Sequence, residues 1–358
     1  MIDLFSDTKT RPTAEMKQAM IEAEVGDDMS GEDPTVNRLE AMVAEMFGME
    51  AAVYACSGTQ SNQMGVRVHC QPGDELLIHD SGHIANYEAG GAAALSGVTV
   101  RTLPGELGML DLPQLQGRIR AENQHLSRTK LVCVENTTNS GGGRAYPLEQ
   151  LQRVSQWAVE NGLKRHMDGA RLFNAIMATG VSAKEIGQCV DTISICFSKG
   201  LGCPMGSILV GSEDDIYRAR RARKLFGGAL RQAGIVAASA IYALENNVER
   251  LVDDHENAKL FASGIAEIDG ICIDPDLIET NLVFFQVDKN RCDASQLSAA
   301  LKERGVGIGA AGPQTLRACT HLDVSREEVL KAVDIVEECV SSDLKTLTAC
   351  PTGPYARG

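Results

Sequence analysis

A strand that delivers a lysine into a glycine-rich turn constrains this chain more than any other feature. Residues 192–197 (TISICF) are mostly apolar and β-branched, which is typical of a strand buried in a sheet. Ser198 and Lys199 follow, and a glycine stands on each side of Leu201. An amine among apolar neighbours has a lowered pKa and can form a Schiff base with a carbonyl. The same pattern also suits a lysine that merely extends into solvent at a strand end.

A second strand ends in an acid that complements this lysine. Residues 162–171 (GLKRHMDGAR) place Asp168 three residues before Arg171. In an open α/β sheet, ligands bind beyond the carboxyl ends of the strands, where Asp168 and Lys199 would both lie. Pyridoxal phosphate needs such a pair, because a lysine holds it as an imine and an acid keeps its pyridine nitrogen protonated. Taken alone, Asp168 also fits a helix cap or a turn.

A third strand leads into a candidate phosphate site. Residues 51–56 predict the strand, and Ser57-Gly58-Thr59 open the helix that follows. Backbone N–H groups at such a helix start bind phosphate, although the pattern also fits an ordinary N-cap. Neither a Walker A motif nor a Gly-x-Gly-x-x-Gly turn opening a helix occurs, which argues against nucleotide binding.

Further polar residues of interest stand near strand ends or in basic segments. His83 lies in a loop after the predicted strand of residues 75–79, where a ligand contact or plain solvation both fit. The basic run of residues 218–231 contains Lys224 and Arg231, which are candidate countercharges for a phosphate or part of a solvated helix face. Arg317, in a predicted strand, could bind a substrate carboxylate or lie at a sheet edge.

Charge and composition narrow the partners and the compartment. The chain carries a formal charge of −14 and only 4% aromatic residues, which disfavours nucleic acid and anionic membrane as partners. Its eleven cysteines are odd in number and form no Cys-x-x-Cys, so we expect a reduced, cytoplasmic protein with no metal site. The start of the chain lacks the pattern of a secretion signal, and no long apolar run predicts a membrane span.

Alternating strands and helices predict an α/β protein of two domains. We predict a large domain over residues 1–250, including an N-terminal arm of residues 1–12, and a small α+β domain over residues 251–345. Residues 346–358, rich in Pro and Gly, predict a flexible tail. Within the large domain, one helix is predicted over residues 112–121.

Taken together, these motifs resemble the threonine aldolase family of fold type I pyridoxal-phosphate enzymes. The resemblance runs in order from Ile2 to about Val340, and rests on seven segments: IDLFSDT (2–8), VGDD (25–28), GEDP (31–34), SGT (57–59), DGAR (168–171), SKGL (198–201) and GG with RQ (227–232). It implies a three-layer αβα large domain with a mostly parallel sheet, followed by a small C-terminal α+β domain.

The resemblance also implies roles for individual residues around pyridoxal phosphate. Lys199 would hold the cofactor covalently, Asp168 would pair with the pyridine nitrogen, and His83 would lie over the ring. Arg171 would also contact the cofactor. The residues implied for cofactor phosphate are Ser57, Gly58, Thr59, Lys224 and Arg231. The last two would come from a neighbouring subunit, because such sites form between subunits of a homo-oligomer that is at least a dimer and, in the family, a tetramer.

For the substrate, the resemblance implies a carboxylate site formed by Ser6, Arg171 and Arg317. His125 matches a histidine that family members place near the substrate hydroxyl. The implied reaction is retro-aldol cleavage of L-threonine or L-allo-threonine to glycine and acetaldehyde, with His83 or His125 as the base.

The chain departs from the family pattern at two positions near the implied site. Ser30 stands where the family usually has tyrosine, and Thr138 stands where it has histidine. These departures leave open another reaction on the same scaffold, such as β-elimination, racemisation or transamination. A non-catalytic regulator that binds pyridoxal phosphate is the remaining alternative, but such a protein would be expected to lack Lys199 or Asp168 and to carry a DNA-binding segment.

Overall fold

The computed structural model describes residues 1–342, which form two compact units. The large unit spans Pro12–Val248, and the C-terminal unit combines Met1–Arg11 with residues 249–342. The N-terminal arm thus belongs to the C-terminal unit and not to the large domain, because Ile2 and Asp3 pair in parallel with Val306 and Gly307. The predicted tail of residues 346–358 lies outside the described residues.

The strands of the described part of the chain are short, and most of them lie in two sheets. In chain order they are β1 (Ile2–Asp3), β2 (Ala51–Ala55), β3 (Asp74–His79), β4 (Thr99–Leu103), β5 (Arg128–Glu135), β6 (Lys164–Gly169), β7 (Thr192–Cys196), β8 (Ser207–Gly211), β9 (Ile271–Cys272), β10 (Leu282–Val287), β11 (Val306–Gly307), β12 (Gly309–Ala310) and β13 (Thr315–Cys319).

The α-helices alternate with these strands. In chain order they are α1 (Ala14–Ile21), α2 (Pro34–Phe47), α3 (Gly58–His69), α4 (His83–Asn86), α5 (Gly91–Ser96), α6 (Leu112–Leu115), α7 (Leu148–Glu160), α8 (Leu172–Thr179), α9 (Ala183–Gly187), α10 (Glu213–Leu225), α11 (Gly234–Asn246), α12 (Leu251–Ala266), α13 (Ala294–Glu303) and α14 (Arg326–Val340).

The large unit is built around a seven-stranded sheet in the order β2-β8-β7-β6-β5-β3-β4. The pairs β7–β6, β6–β5, β5–β3 and β3–β4 are parallel, whereas β8 runs antiparallel to both of its neighbours. Helix α3 packs on β6, β7 and β8. The fold class is therefore the expected α/β class with a mostly parallel sheet, and the parallel strands share one carboxyl edge.

Apolar side chains hold the helices against this sheet. One cluster includes Val66 of α3 with Leu76 and Leu131 of the sheet, and a second joins Met64 of α3 with Leu209 of β8; all of these side chains are fully buried. Burial of one such side chain stabilises a fold by roughly 1.5–3 kcal/mol. Helix α3 is thus fixed to the sheet along its length.

Helix ends follow local sequence signals in most places. Thr13, Ser57, Ser212 and Ser325 each cap a helix by accepting a backbone N–H. The helix predicted over residues 112–121 is wrong in length, because α6 ends at Leu115. Gln116 adopts extended backbone angles and Gly117 has φ +72°, a conformation that favours glycine and stops the helix.

The C-terminal unit is an α+β structure. Its antiparallel sheet has the order β12-β13-β10-β9, and its core includes Phe261 and Phe285, whose ring centroids lie 6.2 Å apart in an edge-to-face contact. Among residues 1–342, no helix has both the length and the apolar character needed to cross a membrane.

Candidate active site

Four parallel strands bring polar residues to their common carboxyl edge. Asp168, near the end of β6, is in register with Glu135 of β5 and with Ser194 of β7. Lys199 follows β7 by three residues, and His83 begins α4 after β3. The strand order β7-β6-β5-β3 thus gathers the ends that carry Lys199, Asp168, Glu135 and His83. This edge is where ligands bind in open α/β sheets.

Asp168 is buried and oriented by two donors. Its Oδ2 accepts from Nδ2 of Asn62 at 2.9 Å, and its Oδ1 accepts from the backbone N–H of Ala170 at 3.1 Å. Asn62 lies on α3, one turn after the helix start. A carboxylate held on both oxygens has a fixed plane, so it can present a negative charge in a defined direction.

His83 is anchored by a fully buried carboxylate. Its Nδ1 lies 3.0 Å from Oε1 of Glu88, which also accepts from Asn62 at 2.7 Å. The second oxygen of Glu88 accepts from Nε2 of Gln63 at 2.6 Å. Because a carboxylate only accepts hydrogen bonds, Nδ1 of His83 carries the proton and Nε2 is left as the basic nitrogen.

The charges around His83 change its pKa. Burial lowers the pKa of His83, but the hydrogen bond to Glu88 and the charges of Asp168 and Glu88 outweigh burial, so the net shift is upward. The Lys199 ammonium acts in the opposite direction on the pKa of His83. Burial raises the pKa of the Cys196 thiol, and Lys199 partly offsets that rise. Lys199, which is half-buried, therefore lies within electrostatic reach of both side chains.

Glu135 ties two site loops to the sheet edge. Its oxygens accept from the backbone N–H groups of His83 and Asn139, each at 2.7 Å. Burial and the nearby Asp168 charge raise the pKa of Glu135, and the two backbone N–H groups oppose that rise. Glu135 therefore fixes the backbone position at which His83 enters the site.

The candidate phosphate residues begin helix α3. Ser57 is the N-cap and accepts from the backbone N–H of Gln60, while Ser57 and Thr59 are exposed. A Cβ on Gly58 would lie 2.4 Å from the Cys196 sulfur, so only glycine fits between the helix start and the end of β7. The helix N-terminus is thus open to solvent on one side and packed beside the lysine strand on the other, as an anion site requires.

Arg171 follows Asp168 by three residues. It is buried at the start of α8, and its Nη1 donates to Oδ1 of Asn139 at 3.4 Å. Thr138 is buried as well, and its hydroxyl donates to the carbonyl of Leu107 at 2.9 Å. At this departure from the family pattern, the threonine therefore joins two loops.

Several predicted residues do not join this group within one chain. His125 lies in an exposed loop, where its hydrogen bonds join it to Asn123 and Gln124. Lys224 is exposed at the end of α10, and Arg231 is exposed and paired with Asp27 at 2.8 Å. Ser30 is also exposed.

Ser6 and Arg317 belong to the C-terminal unit. The hydroxyl of Ser6 accepts from the backbone N–H of Thr8 at 3.2 Å, and Nη2 of Arg317 donates to the carbonyl of Phe5 at 3.1 Å. Both side chains are buried. Their contact with a substrate carboxylate stays a prediction.

Sequence analysis missed Glu88, Asn62 and Gln63. Glu88 follows no strand, and it precedes Ala89-Gly90-Gly91, so its sequence resembles an ordinary turn. The backbone provides a clearer signal: Ala89 has φ +52°, which is uncommon for a residue with a side chain. Strain of this kind concentrates at functional sites.

Hydrogen bonds organise the cluster of His83, Glu88 and Asp168. One ligand-type atom from each of the three lies within 4.8 Å of the others, a spacing that also occurs in metal sites. Here, however, the Nδ1–H of His83 and the amide nitrogens of Asn62 and Gln63 donate to Glu88, so Nδ1 offers no lone pair to a cation.

The residues of this edge fit pyridoxal phosphate. The group needs a lysine, an acid for the ring nitrogen and a phosphate site. Asp168 lies near the end of β6 and Lys199 follows the adjacent parallel strand β7, and Ser57 caps a helix that packs on both strands. The donor set therefore matches the three parts of the cofactor.

Comparison with known proteins agrees with this geometry. The profile of the β-eliminating lyase family matches residues 3–289. The low specificity L-threonine aldolase of Escherichia coli K12 is 44% identical over 330 residues, which cover 92% of this chain and 96% of that protein. The probable low-specificity L-threonine aldolase 2 of Arabidopsis thaliana is 40% identical over 95% of this chain and 98% of its own.

Solved structures share the fold. The threonine aldolase of Leishmania major has a TM-score of 0.81 at 21% identity, covering 95% of this chain and 100% of that chain. An SPT protein solved with PLP has a TM-score of 0.72 at 17% identity, over 94% of this chain and 87% of its own. This chain is a lyase that belongs to the threonine aldolase family, within the larger family of β-eliminating lyases.

Proposed function

We propose that this protein cleaves L-threonine and L-allo-threonine to glycine and acetaldehyde with pyridoxal phosphate. The observation that carries the proposal is the convergence of Lys199, Asp168 and the His83–Glu88 pair at one sheet edge. Relatives at 40–44% identity over most of the chain are named low-specificity L-threonine aldolases. The products connect the enzyme to threonine breakdown and glycine formation.

Three sets of residues would hold the cofactor. The amine of Lys199 would bind it covalently, and the carboxylate of Asp168 would face its pyridine nitrogen. Ser57, Gly58 and Thr59 would receive its phosphate at the start of α3. When bound, pyridoxal phosphate supplies the electron sink for the electron pair of the broken Cα–Cβ bond.

His83 is the proposed proton acceptor. As the aldehyde forms, the substrate β-hydroxyl must lose its proton, and Nε2 of His83 is a base because Nδ1 donates to Glu88. His125 lies in an exposed loop of the same chain, which favours His83 for this step. A proton held on His83 is then available to the glycine carbon or to solvent.

The substrate carboxylate needs a cation, because its position decides which bond at Cα is broken. We propose that Arg171, at the same sheet edge as Asp168, supplies this charge, with Ser6 and Arg317 as further ligands. His125 remains the candidate for contact with the β-hydroxyl side of the substrate.

A homo-oligomer, with the tetramer as the favoured state, would complete the phosphate site. Lys224 and Arg231 are exposed, so a neighbouring subunit could receive them. Leu225, beside Lys224, is a large apolar side chain that is 68% exposed, which also suits an interface. Light scattering after size-exclusion chromatography tests this proposal, and a monomeric active enzyme contradicts it.

A cytoplasmic location is proposed on the state of the cysteines. The ten cysteines within residues 1–342 are all free thiols, and eight of them are buried. Free thiols persist in reducing compartments.

The decisive experiment supplies purified, cofactor-loaded protein with L-threonine and L-allo-threonine separately. Equal amounts of acetaldehyde and glycine are expected from both, and Lys199→Ala should release neither. β-Elimination is the second candidate, because the matching family is named for it and Thr138 departs from the aldolase pattern. Ammonia and a keto acid in place of glycine and acetaldehyde would identify elimination and overturn the proposal.

A further inference from the structure

Four buried side chains form a hydrogen-bonded row that leads to Asp168. None of the proposed chemical steps uses this row. Asn62 Oδ1 lies 3.2 Å from Nε2 of His166, and Nδ1 of His166 lies 2.9 Å from the hydroxyl of Thr192. The same hydroxyl lies 2.9 Å from Nε2 of His69. We name this row, His69-Thr192-His166-Asn62, the buried seam. It ends on the carboxylate of Asp168.

With both histidines neutral, the direction of every hydrogen bond in the buried seam is determined. One end of the Asn62 amide group lies 2.9 Å from an oxygen of Asp168 and 2.7 Å from an oxygen of Glu88. Because both partners are carboxylates, which only accept, this end must be the NH2 group. Its oxygen must therefore accept from His166, so His166 carries its proton on Nε2. The Nδ1 of His166 then accepts from the Thr192 hydroxyl, whose oxygen accepts from His69.

Both histidines suit this arrangement because they are neutral. Burial lowers the pKa of His166 to about 3 and the pKa of His69 to about 4. A neutral imidazole has one donor and one acceptor, whereas an imidazolium has two donors. A protonated His166 would donate from Nδ1 to the Thr192 oxygen. The Thr192 hydroxyl would then have to donate to His69 instead of accepting from it.

Helix α3 is shaped to receive the buried seam. Gly58, Asn62, Gly65 and His69 are spaced by four, three and four residues, so they share one face of the helix. A Cβ on Gly65 would lie 2.3 Å from Cε1 of His166, so glycine provides the space for that ring. The same face meets β7 at Gly58 and at His69. Helix α3, which begins with the candidate phosphate residues, is therefore held in a fixed position against the strands that carry Asp168 and Lys199.

We propose that the buried seam positions Asp168 for the cofactor: His166, held by Thr192 and His69, orients the Asn62 amide, and Asn62 thereby fixes the Asp168 carboxylate relative to the phosphate end of α3. Asn62, His166 and Thr192 are positioning residues, because they act through Asp168. The inference rests on the proposed function in one respect, namely that Asp168 faces the pyridine nitrogen.

The test uses two matched substitutions at Thr192. Thr192→Val keeps the shape of the side chain and removes the hydroxyl, whereas Thr192→Ser keeps the hydroxyl. We expect Thr192→Val to weaken pyridoxal phosphate binding to the full-length protein roughly three- to tenfold, as expected for one lost hydrogen bond, and Thr192→Ser to bind as the unchanged protein does. His321→Gln is the control, because His321 is a buried histidine of the C-terminal unit that bonds to the backbone of Asp3. It should leave binding unchanged.

A second measurement reads the direction of the hydrogen bonds themselves. In protein labelled with ¹⁵N at histidine, NMR at pH 7 should show His166 protonated on Nε2 and unprotonated on Nδ1. Protonation on Nδ1 or on both nitrogens would overturn the proposal, as would a folded Thr192→Val protein whose cofactor affinity changes by less than threefold. Neither measurement needs substrate turnover, so a failure here is distinct from a failure to cleave threonine.

Discussion

Nδ1 of His83 lies 3.0 Å from Oε1 of Glu88, and the Glu88 side chain has no exposed surface. The backbone holds Glu88 in this place with a left-handed Ala89, and Gly91 leaves room for Gln63, which also donates to Glu88. The acid both fixes the histidine tautomer and raises its pKa. Glu88 therefore decides which ring nitrogen His83 offers to a substrate and at what pH it is basic.

Glu88→Gln should lower activity and shift its pH dependence. The amide keeps the shape of the acid but removes the charge that raises the pKa of His83, and its NH2 cannot accept from Nδ1. Because the base acts when neutral, activity rises with pH through that pKa, and a lower pKa moves the acidic limb to lower pH. We expect the acidic limb of the kcat/KM profile to move to lower pH and kcat to fall about tenfold or more.

The control for this substitution is Glu245→Gln. Glu245 pairs with Arg38 on the surface, where its side chain is 45% exposed. It should leave both the profile and kcat unchanged. An acidic limb that stays in place in Glu88→Gln would show that His83 is not the titrating base.

Asp168→Asn should reduce cofactor binding and catalysis together. The substitution removes the negative charge proposed to face the pyridine nitrogen, and it leaves the NH2 of Asn62 without a charged acceptor. We expect kcat/KM to fall at least about 100-fold, as for removal of a preorganised charge. Asp191→Asn, at the opposite end of the same strand pair, removes an acid bonded to Arg165 and should affect stability only. Equal losses in the two variants would contradict the special role of Asp168.

The position of polar residues at the ends of predicted strands indicates part of this site from the sequence. Lys199 follows one predicted strand and Asp168 stands near the end of another, and parallel strands carry such residues to one edge, so their meeting could be foreseen. Glu88 could not be foreseen, because a turn brings it to the site and the backbone angles of that turn cannot be predicted from the sequence. His125, in contrast, was named only through family resemblance, and within one chain it lies in an exposed loop.

The segment GEDP shows a different limit. It matches a family motif, yet its Asp33 is a structural residue that is fully buried. One oxygen accepts from the N–H groups of Thr35 and Val36 at the start of α2, and the other accepts from Gly234 at 2.8 Å, 201 residues away. Sequence alone indicates the cap but not the bond to α11, because that bond depends on tertiary packing.

Asp33→Ala should therefore destabilise the protein more than loss of an ordinary cap. Thr13→Ala is the matched comparison, because Thr13 caps α1 by accepting from the backbone N–H of Met16. We expect about 1 kcal/mol for Thr13→Ala and about 2–3 kcal/mol for Asp33→Ala in urea unfolding. Equal costs for the two variants would mean that the contacts of Asp33 with Gly234 and with Gly26 contribute nothing.

Buried neutral histidines should make the protein less stable in acid. His255 on α12 is buried, and burial, with the nearby Lys259 and Arg250 charges, lowers its pKa to about 4. In the unfolded chain a histidine titrates near 6.5. Between these values the unfolded chain binds one more proton than the folded protein, so the free energy of unfolding falls as the pH falls.

His255→Asn removes this proton uptake, so the free energy of unfolding should depend less on pH in this variant. From pH 8 to pH 5, one such histidine costs about 2 kcal/mol, so His255→Asn should lose about 2 kcal/mol less than the unchanged protein over that interval. Urea unfolding at the two pH values measures the difference, and each protein serves as its own reference at pH 8. His125→Asn, in the exposed loop, should follow the unchanged protein. If His255→Asn loses as much stability as His125→Asn, His255 is already protonated in the folded protein at pH 5.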